Sequence, residues 1–146
     1  MTKVIRNIAA WALLGVIACV GCGTKTDKLP ISGKVTLDGV PLDGGSIRFN
    51  SRPGEKLQAA GAMIQNGAYE IPAEKGLLPG VYIVQMSSPD TDAPPVMVGG
   101  EDGSPKFPVA PERIPPEYSE GSDNTIELTR DGDSEFNFDL TSAAKK

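Results

Sequence analysis

The chain has 146 residues and a formal net charge of −5, with 39% hydrophobic, 5% aromatic and 23% charged residues, the mixture of one globular domain and not of a disordered or collagenous chain. Its 17 glycines and 13 prolines are too many for a helical bundle and predict short strands separated by turns. There is no histidine, so a Ser-His-Asp triad, a histidine general base and a His-ligated zinc are excluded within the chain.

The N-terminal segment has the pattern of a targeting signal. Lys3 and Arg6 precede residues 8–21, which are uncharged and apolar. As a helix these residues span about 21 Å, short of the ~30 Å hydrocarbon core. A secretory signal peptide over residues 1–21 is therefore expected in place of a spanning helix. Both cysteines close this stretch, each preceded by small residues. A peptidase cutting ahead of a cysteine needs a small residue at the scissile bond, and the thiol must lie at the membrane surface to receive a diacylglycerol. The pattern resembles the bacterial lipobox. Cys22, in a Gly-Cys-Gly setting, is the expected lipid-attachment residue. Cys19, with Val16 three residues ahead of it, is the alternative. A disulfide between the two, in a segment due for removal, would staple nothing.

Residues 22–28 form a polar tether, and the six residues after Cys22 reach about 20 Å when extended. Losing Lys3 and Arg6 takes the net charge from −5 to −7. An acidic chain is a poor nucleic-acid binder, and its charge does not draw it to anionic lipid, so the acyl chains are the expected membrane link. Trp11, the one tryptophan, leaves with the signal, which weakens a sugar-stacking role for the remainder.

From residue 29 the hydrophobic period is two, the mark of half-buried strands. Ile31, Gly33, Val35 and Leu37 share one face, and Asp38-Gly39 turns the chain. Ile47 and Phe49 share a face over residues 46–50, and residues 59–65 read as a weaker strand. Asn66-Gly67 then marks a hairpin into residues 68–71. Residues 81–88 alternate most regularly, with Tyr82, Val84 and Met86 on one face. Residues 125–129 and 134–140 are expected to pair with each other through Asp131-Gly132, setting Ile126 and Leu128 against Phe136, Phe138 and Leu140. About seven strands and no helix predict an all-β fold, a two-layer β-sandwich over residues 29–141, with 142–146 a flexible tail. Between residues 89 and 124 lie eight of the 13 prolines. Proline cannot donate to a central ladder, so this stretch is read as a long crossover lying on the sandwich and anchored at residues 114–118.

Leu29-Pro30-Ile31-Ser32-Gly33-Lys34-Val35-Thr36-Leu37-Asp38-Gly39-Val40-Pro41-Leu42 resembles the opening of carboxypeptidase regulatory-like, or transthyretin-like, domains. Residues 44–49 resemble their second strand, and Leu78-Pro79-Gly80-Val81-Tyr82-Ile83-Val84 a later one. With Gly21-Cys22-Gly23 in front, the chain is similar to small lipoproteins abundant in planctomycete bacteria. The resemblance implies a seven-stranded prealbumin-like, or Ig-like, sandwich on an acyl anchor. It supplies no catalytic residues.

Few residues invite chemistry. Asp131, Asp133 and Glu135 have the i, i+2, i+4 spacing of calcium ligands, but Asp-Gly is also hairpin chemistry, and a distal bidentate Glu is missing. Asp90, Asp92, Glu101 and Asp102 are weaker versions of the same pattern. Glu70, Glu74 and Lys75 could serve as acid and base, yet nothing in the sequence places them together. Residues 99–103 lack the strand and helix that flank a phosphate-binding glycine loop. No catalytic, cofactor-binding or metal-binding residue is therefore expected. The reading is a non-enzymatic envelope lipoprotein, tethered through its acyl chains and binding or scaffolding an envelope protein or polysaccharide. A calcium- or carbohydrate-dependent adhesion module is the alternative. Neither Gly23 nor Val20, the residues following the candidate cysteines, is the aspartate that retains lipoproteins at the inner membrane of some bacteria, which points to the outer membrane.

Overall fold

The computed structural model describes residues 27–100 and 104–142. The expected signal peptide and the lipid-attachment candidates Cys22 and Cys19 lie outside the described residues, as does most of the expected tail. Among the described residues, the regular structure is ten strands and two 3-10 turns, Ala73–Lys75 and Pro116–Tyr118. No helix among them is long and apolar enough to cross a membrane.

Strand β1 (Ile31–Leu37) turns into the two-residue β2 (Val40–Pro41), and β3 (Gly44–Ser51) follows. Strands β4 (Ala59–Gln65) and β5 (Ala68–Ile71) form the Asn-Gly hairpin. In both tight turns two successive residues have positive φ: Asp38 at 55° and Gly39 at 82°, then Asn66 at 50° and Gly67 at 76°. That is the backbone a two-residue hairpin loop requires, and Asp-Gly and Asn-Gly adopt it at least cost. Strand β6 (Gly80–Ser87) is followed by the short β7 (Val96–Val98) and β8 (Phe107–Val109), then β9 (Thr125–Leu128) and β10 (Phe138–Leu140).

The main sheet runs β10-β1-β5-β4-β3-β6-β9, with β2 attached to β1, while β7 and β8 form a separate ribbon. All pairings are antiparallel except that of β1 with β10. At one place continuity rests on a single pair, Gln65 opposite Ala68. Past that corner β5 pairs with β1, and β4 pairs with β3 along its whole length. The two arms of the hairpin diverge, so the sheet curls and turns its inward face upon itself. Ile31 and Val35 of β1 and Ile71 of β5 thereby join Ile47, Ile64, Val84 and Leu128 from the other half in one buried core. The rings of Phe49 and Tyr69 meet at 6.0 Å across it. Each such side chain contributes roughly 1.5–3 kcal/mol by leaving water.

The expected all-β class is found, as a curled, mainly antiparallel sheet whose halves stay joined at the Asn66-Gly67 turn. The pairing at its ends departs from the sequence reading. The expected hairpin between residues 125–129 and 134–140 does not form. β9 pairs with β6, and β10 lies parallel to β1 at the other end of the strand order. Alternation tells which residues face inward, and Ile126, Leu128 and Leu140 are indeed buried, but it says nothing about which strand is the neighbour. The chain reaches β1 because Gly33 leaves room for it. A Cβ at Gly33 would collide with the Phe136 carbonyl, and the same carbonyl accepts a hydrogen bond from Tyr69 Oη at 2.8 Å.

Tyr82, at the start of β6, donates from Oη to the carbonyl of Leu78 at 2.7 Å. A tyrosine bonding back a few residues upstream fixes the entry of the chain into its strand. The neighbouring Gly80 lies against that ring.

Candidate functional site

Strand registers define two poles. At one, β1 begins, the β3–β4 loop turns, and Asp27 meets Arg130 at 3.2 Å. At the other, β3 begins beside the end of β6, with Ser46 opposite Ser87. The Pro-rich crossover leaves from this second pole, and the polar groups that could do chemistry collect where it leaves.

Ser88 occupies the next inward position after Tyr82, Val84 and Met86, and it is buried. A hydroxyl there needs partners. Its Oγ donates to the Gly44 carbonyl at 2.5 Å and accepts from the Arg113 guanidinium at 2.7 Å. The same guanidinium reaches Asp43 Oδ1 at 2.7 Å. Glu112 is equally engaged. Its Oε1 accepts the backbone N–H of Ser88 at 2.7 Å and of Ile114 at 3.0 Å, and its Oε2 accepts Ser87 Oγ at 2.7 Å. The Arg113 hydrogen bond, with help from the Gly44 N–H, holds the Asp43 carboxyl below the usual aspartate range. Ser88 thus has an arginine and a carbonyl as its side-chain partners, and no base accepts its proton. Among the described residues, every buried side-chain nitrogen or oxygen has a partner. The cluster is a latch that fastens the crossover to the sheet.

The arm so fastened is a two-stranded structure. Pro89 bridges to Glu112, Asp90 N–H donates to Pro111 at 2.8 Å, and β7 and β8 continue the pairing, with Val96 opposite Val109 and Val98 opposite Phe107. Met97 and Pro108 occupy its other face. Both faces are apolar and open to water: Met97 is 58% and Phe107 60% exposed. The return limb is buried at Ile114 and Pro115, and Tyr118 packs edge-on against Phe138 at 6.3 Å. The crossover is therefore docked at residues 114–118, and it carries a ribbon of its own, β7 and β8, that the sequence reading did not include.

The remaining candidates stay apart. Glu70 is on the exposed face of β5, and Glu74 and Lys75 are exposed on the 3-10 turn beyond it. Asp131, Asp133 and Glu135 are exposed, and among the described residues no three acids gather where they could hold a metal ion. Asp90 Oδ1 caps the backbone of Asp92 and Ala93, while Glu101 and Asp102 lie outside the described residues. Sequence reasoning missed the latch, although its signal was present: a serine continuing an apolar inward stripe calls for a polar partner.

No family model, curated protein or solved structure matches this chain.

Proposed function

We propose that the chain is an envelope lipoprotein, held in a membrane by acyl chains on Cys22, or on Cys19 as the alternative, whose domain is a non-enzymatic binding module for an envelope protein. The curled sheet, with three strands turned over four at the Gln65–Ala68 corner and a tyrosine fixing the entry to β6, supports a seven-stranded prealbumin-like sandwich of the carboxypeptidase regulatory-like kind. The absence of an inner-membrane-retaining aspartate after either cysteine favours the outer membrane.

The observation that carries the reading is the apolar ribbon of β7 and β8, displayed at the pole opposite the N-terminus. A patch that stays in water on both faces is costly unless a partner covers it. The partner is an apolar cleft with a basic rim, because the ribbon is bordered in sequence by Asp90, Asp92, Glu101 and Asp102 with Lys106 as its one cation. A polysaccharide fits less well, since Phe107 is the one exposed large aromatic among the described residues.

Two measurements test this. Intact mass of the membrane-extracted protein should give a chain beginning at Cys22 or Cys19 plus acyl chains; an unmodified thiol would sink the anchor. A photoreactive residue at Met97 should yield one discrete envelope-protein adduct that disappears with Phe107→Asp. Absence of an adduct, or an adduct indifferent to that substitution, would refute the ribbon as the contact. Calcium-dependent glycan binding would favour the adhesion module instead.

A further inference from the structure

We propose that the outer face of the β3–β6 pair carries a binding groove for a short peptide with free ends, its carboxylate held by Arg48 and its ammonium by Glu120. The groove shares no residue with the β7–β8 ribbon, and the inference does not rest on the acyl anchor.

Ser46 and Arg48 alternate along β3 with the buried Ile47 and Phe49, so they face away from the core. Arg48 stands between Gly61 of β4 and Gln85 of β6. The glycine puts no side chain beside the guanidinium. An apolar hollow of about 310 Å³ results, floored by Gly61 and bordered by Ala62 and Met63. On the β6 side a second hollow, of about 490 Å³, is walled by the return limb of the crossover at Glu112, Ser119 and Glu120. Hydrogen bonds fix that wall. Gln85 Nε2 donates to the Glu120 carbonyl at 2.8 Å, and Ser87 Oγ to Glu112 Oε2 at 2.7 Å. Ser46 and Arg48 line both hollows, which therefore form one groove. Each has the dimensions of a small-molecule site, so a ligand spanning both is longer than one amino acid.

The charges in the groove define the ligand. Among the described residues the ion pairs are Arg113 with Asp43 and Arg130 with Asp27. Arg48 belongs to neither, and its guanidinium donates no hydrogen bond to another described residue. The Glu120 carboxylate pairs with no cation. Glu112 adds a second negative charge, but Ser87, Ser88 and Ile114 already occupy its oxygens. A simple anion would meet two carboxylates, and a simple cation would leave the guanidinium unanswered. The complementary ligand carries both charges. A guanidinium takes a carboxylate through two parallel hydrogen bonds. Met63, 63% exposed, supplies apolar surface next to that contact, and no aromatic ring lines the groove for a sugar to stack on. A peptide with an apolar last residue meets every condition. Its carboxylate sits on Arg48, its last side chain lies over Gly61 against Met63, and its ammonium points to Glu120 on the wall.

Met63 can report binding directly, because it borders the groove while Met97 sits on the ribbon. Alanyl-leucine is titrated into the full-length protein, purified in detergent with methyl-labelled methionine, and followed by NMR. The Met63 signal, assigned by its loss in Met63→Leu, is expected to shift saturably at millimolar concentration or below, while the Met97 signal stays. Arg48→Gln should weaken binding about tenfold, and so should Glu120→Gln, since each removes one charge-assisted contact. Both side chains are exposed, so neither variant should move the urea midpoint. Alanyl-leucine with its carboxylate amidated, or with its amine acetylated, tests the same two contacts on the unaltered protein and should also bind about tenfold more weakly. The proposal is overturned by the lack of a saturable shift at Met63, by an equal shift at Met97, or by undiminished binding of either blocked peptide or to either variant.

Discussion

Gly33 is where a single methyl group decides the topology. Its Cβ position is occupied by the backbone that leads into β10, so Gly33→Ala should destabilise by about 3 kcal/mol, the upper end of overpacking costs, read by urea denaturation. Tyr82→Phe leaves the Leu78 carbonyl unpaired and should cost about 1–2 kcal/mol in the same assay. Burial, reinforced by Glu135 for Tyr69 and by Glu55 for Tyr82, pushes both phenols above the usual tyrosine range. Because the folded values exceed the unfolded one, this contribution is whole below about pH 10 and fades as pH climbs toward the folded values. Alkaline absorbance titration should show both phenols still protonated when free tyrosine ionises. Asp43 has the opposite sign. Its carboxyl is held low by Arg113, so the pair helps above the ordinary aspartate value and is lost as pH falls through the depressed one. Asp43→Asn should flatten that acid limb and leave neutral-pH stability little changed, since the pair is exposed.

The crossover shows how an element with little local preference for order is held in place. Its proline-rich limbs form a ribbon because Glu112 and Arg113 fix one end to Ser87 and Ser88, and Ile114 enters the core. Ile114→Ala should cost about 2–5 kcal/mol. In the wild-type protein, limited proteolysis should cut near residues 99–106 while sparing Arg113; equal cutting at Lys106 and Arg113 would mean the limb is not docked. Strand positions and both Gly turns were legible, because period two and Asn-Gly or Asp-Gly are local signals. The partner of β10 was not, because pairing over a hundred residues leaves no local trace. The latch was half legible: Ser88 announces a need, but Arg113 answers from a stretch with no periodicity. The two cysteines are legible only as a processing pattern, and their chemistry is decided by mass and not by fold.

At the scale of the whole molecule, the chain has a direction. Leu57 is exposed at the end where β1 begins, and an apolar ribbon stands at the far end. The domain reads as a spacer with two unlike ends. Phe107→Asp should abolish the adduct at Met97 without altering the urea midpoint, because the ribbon is exposed and lies outside the core.

The parallel pairing of β1 with β10 also sets an order of events. On one side of β1, Val35 is set against Phe138 and Leu37 against Leu140, while Gly67, Leu42 and Val40 serve the other side. A nascent polypeptide stopped at residue 137 leaves that edge bare, with the Asp38 N–H deprived of the Leu140 carbonyl and Leu140 missing from the interior. Long-range closure of this kind is slow. Maturation must therefore wait for the last stretch to emerge, and until then the product stays pliable.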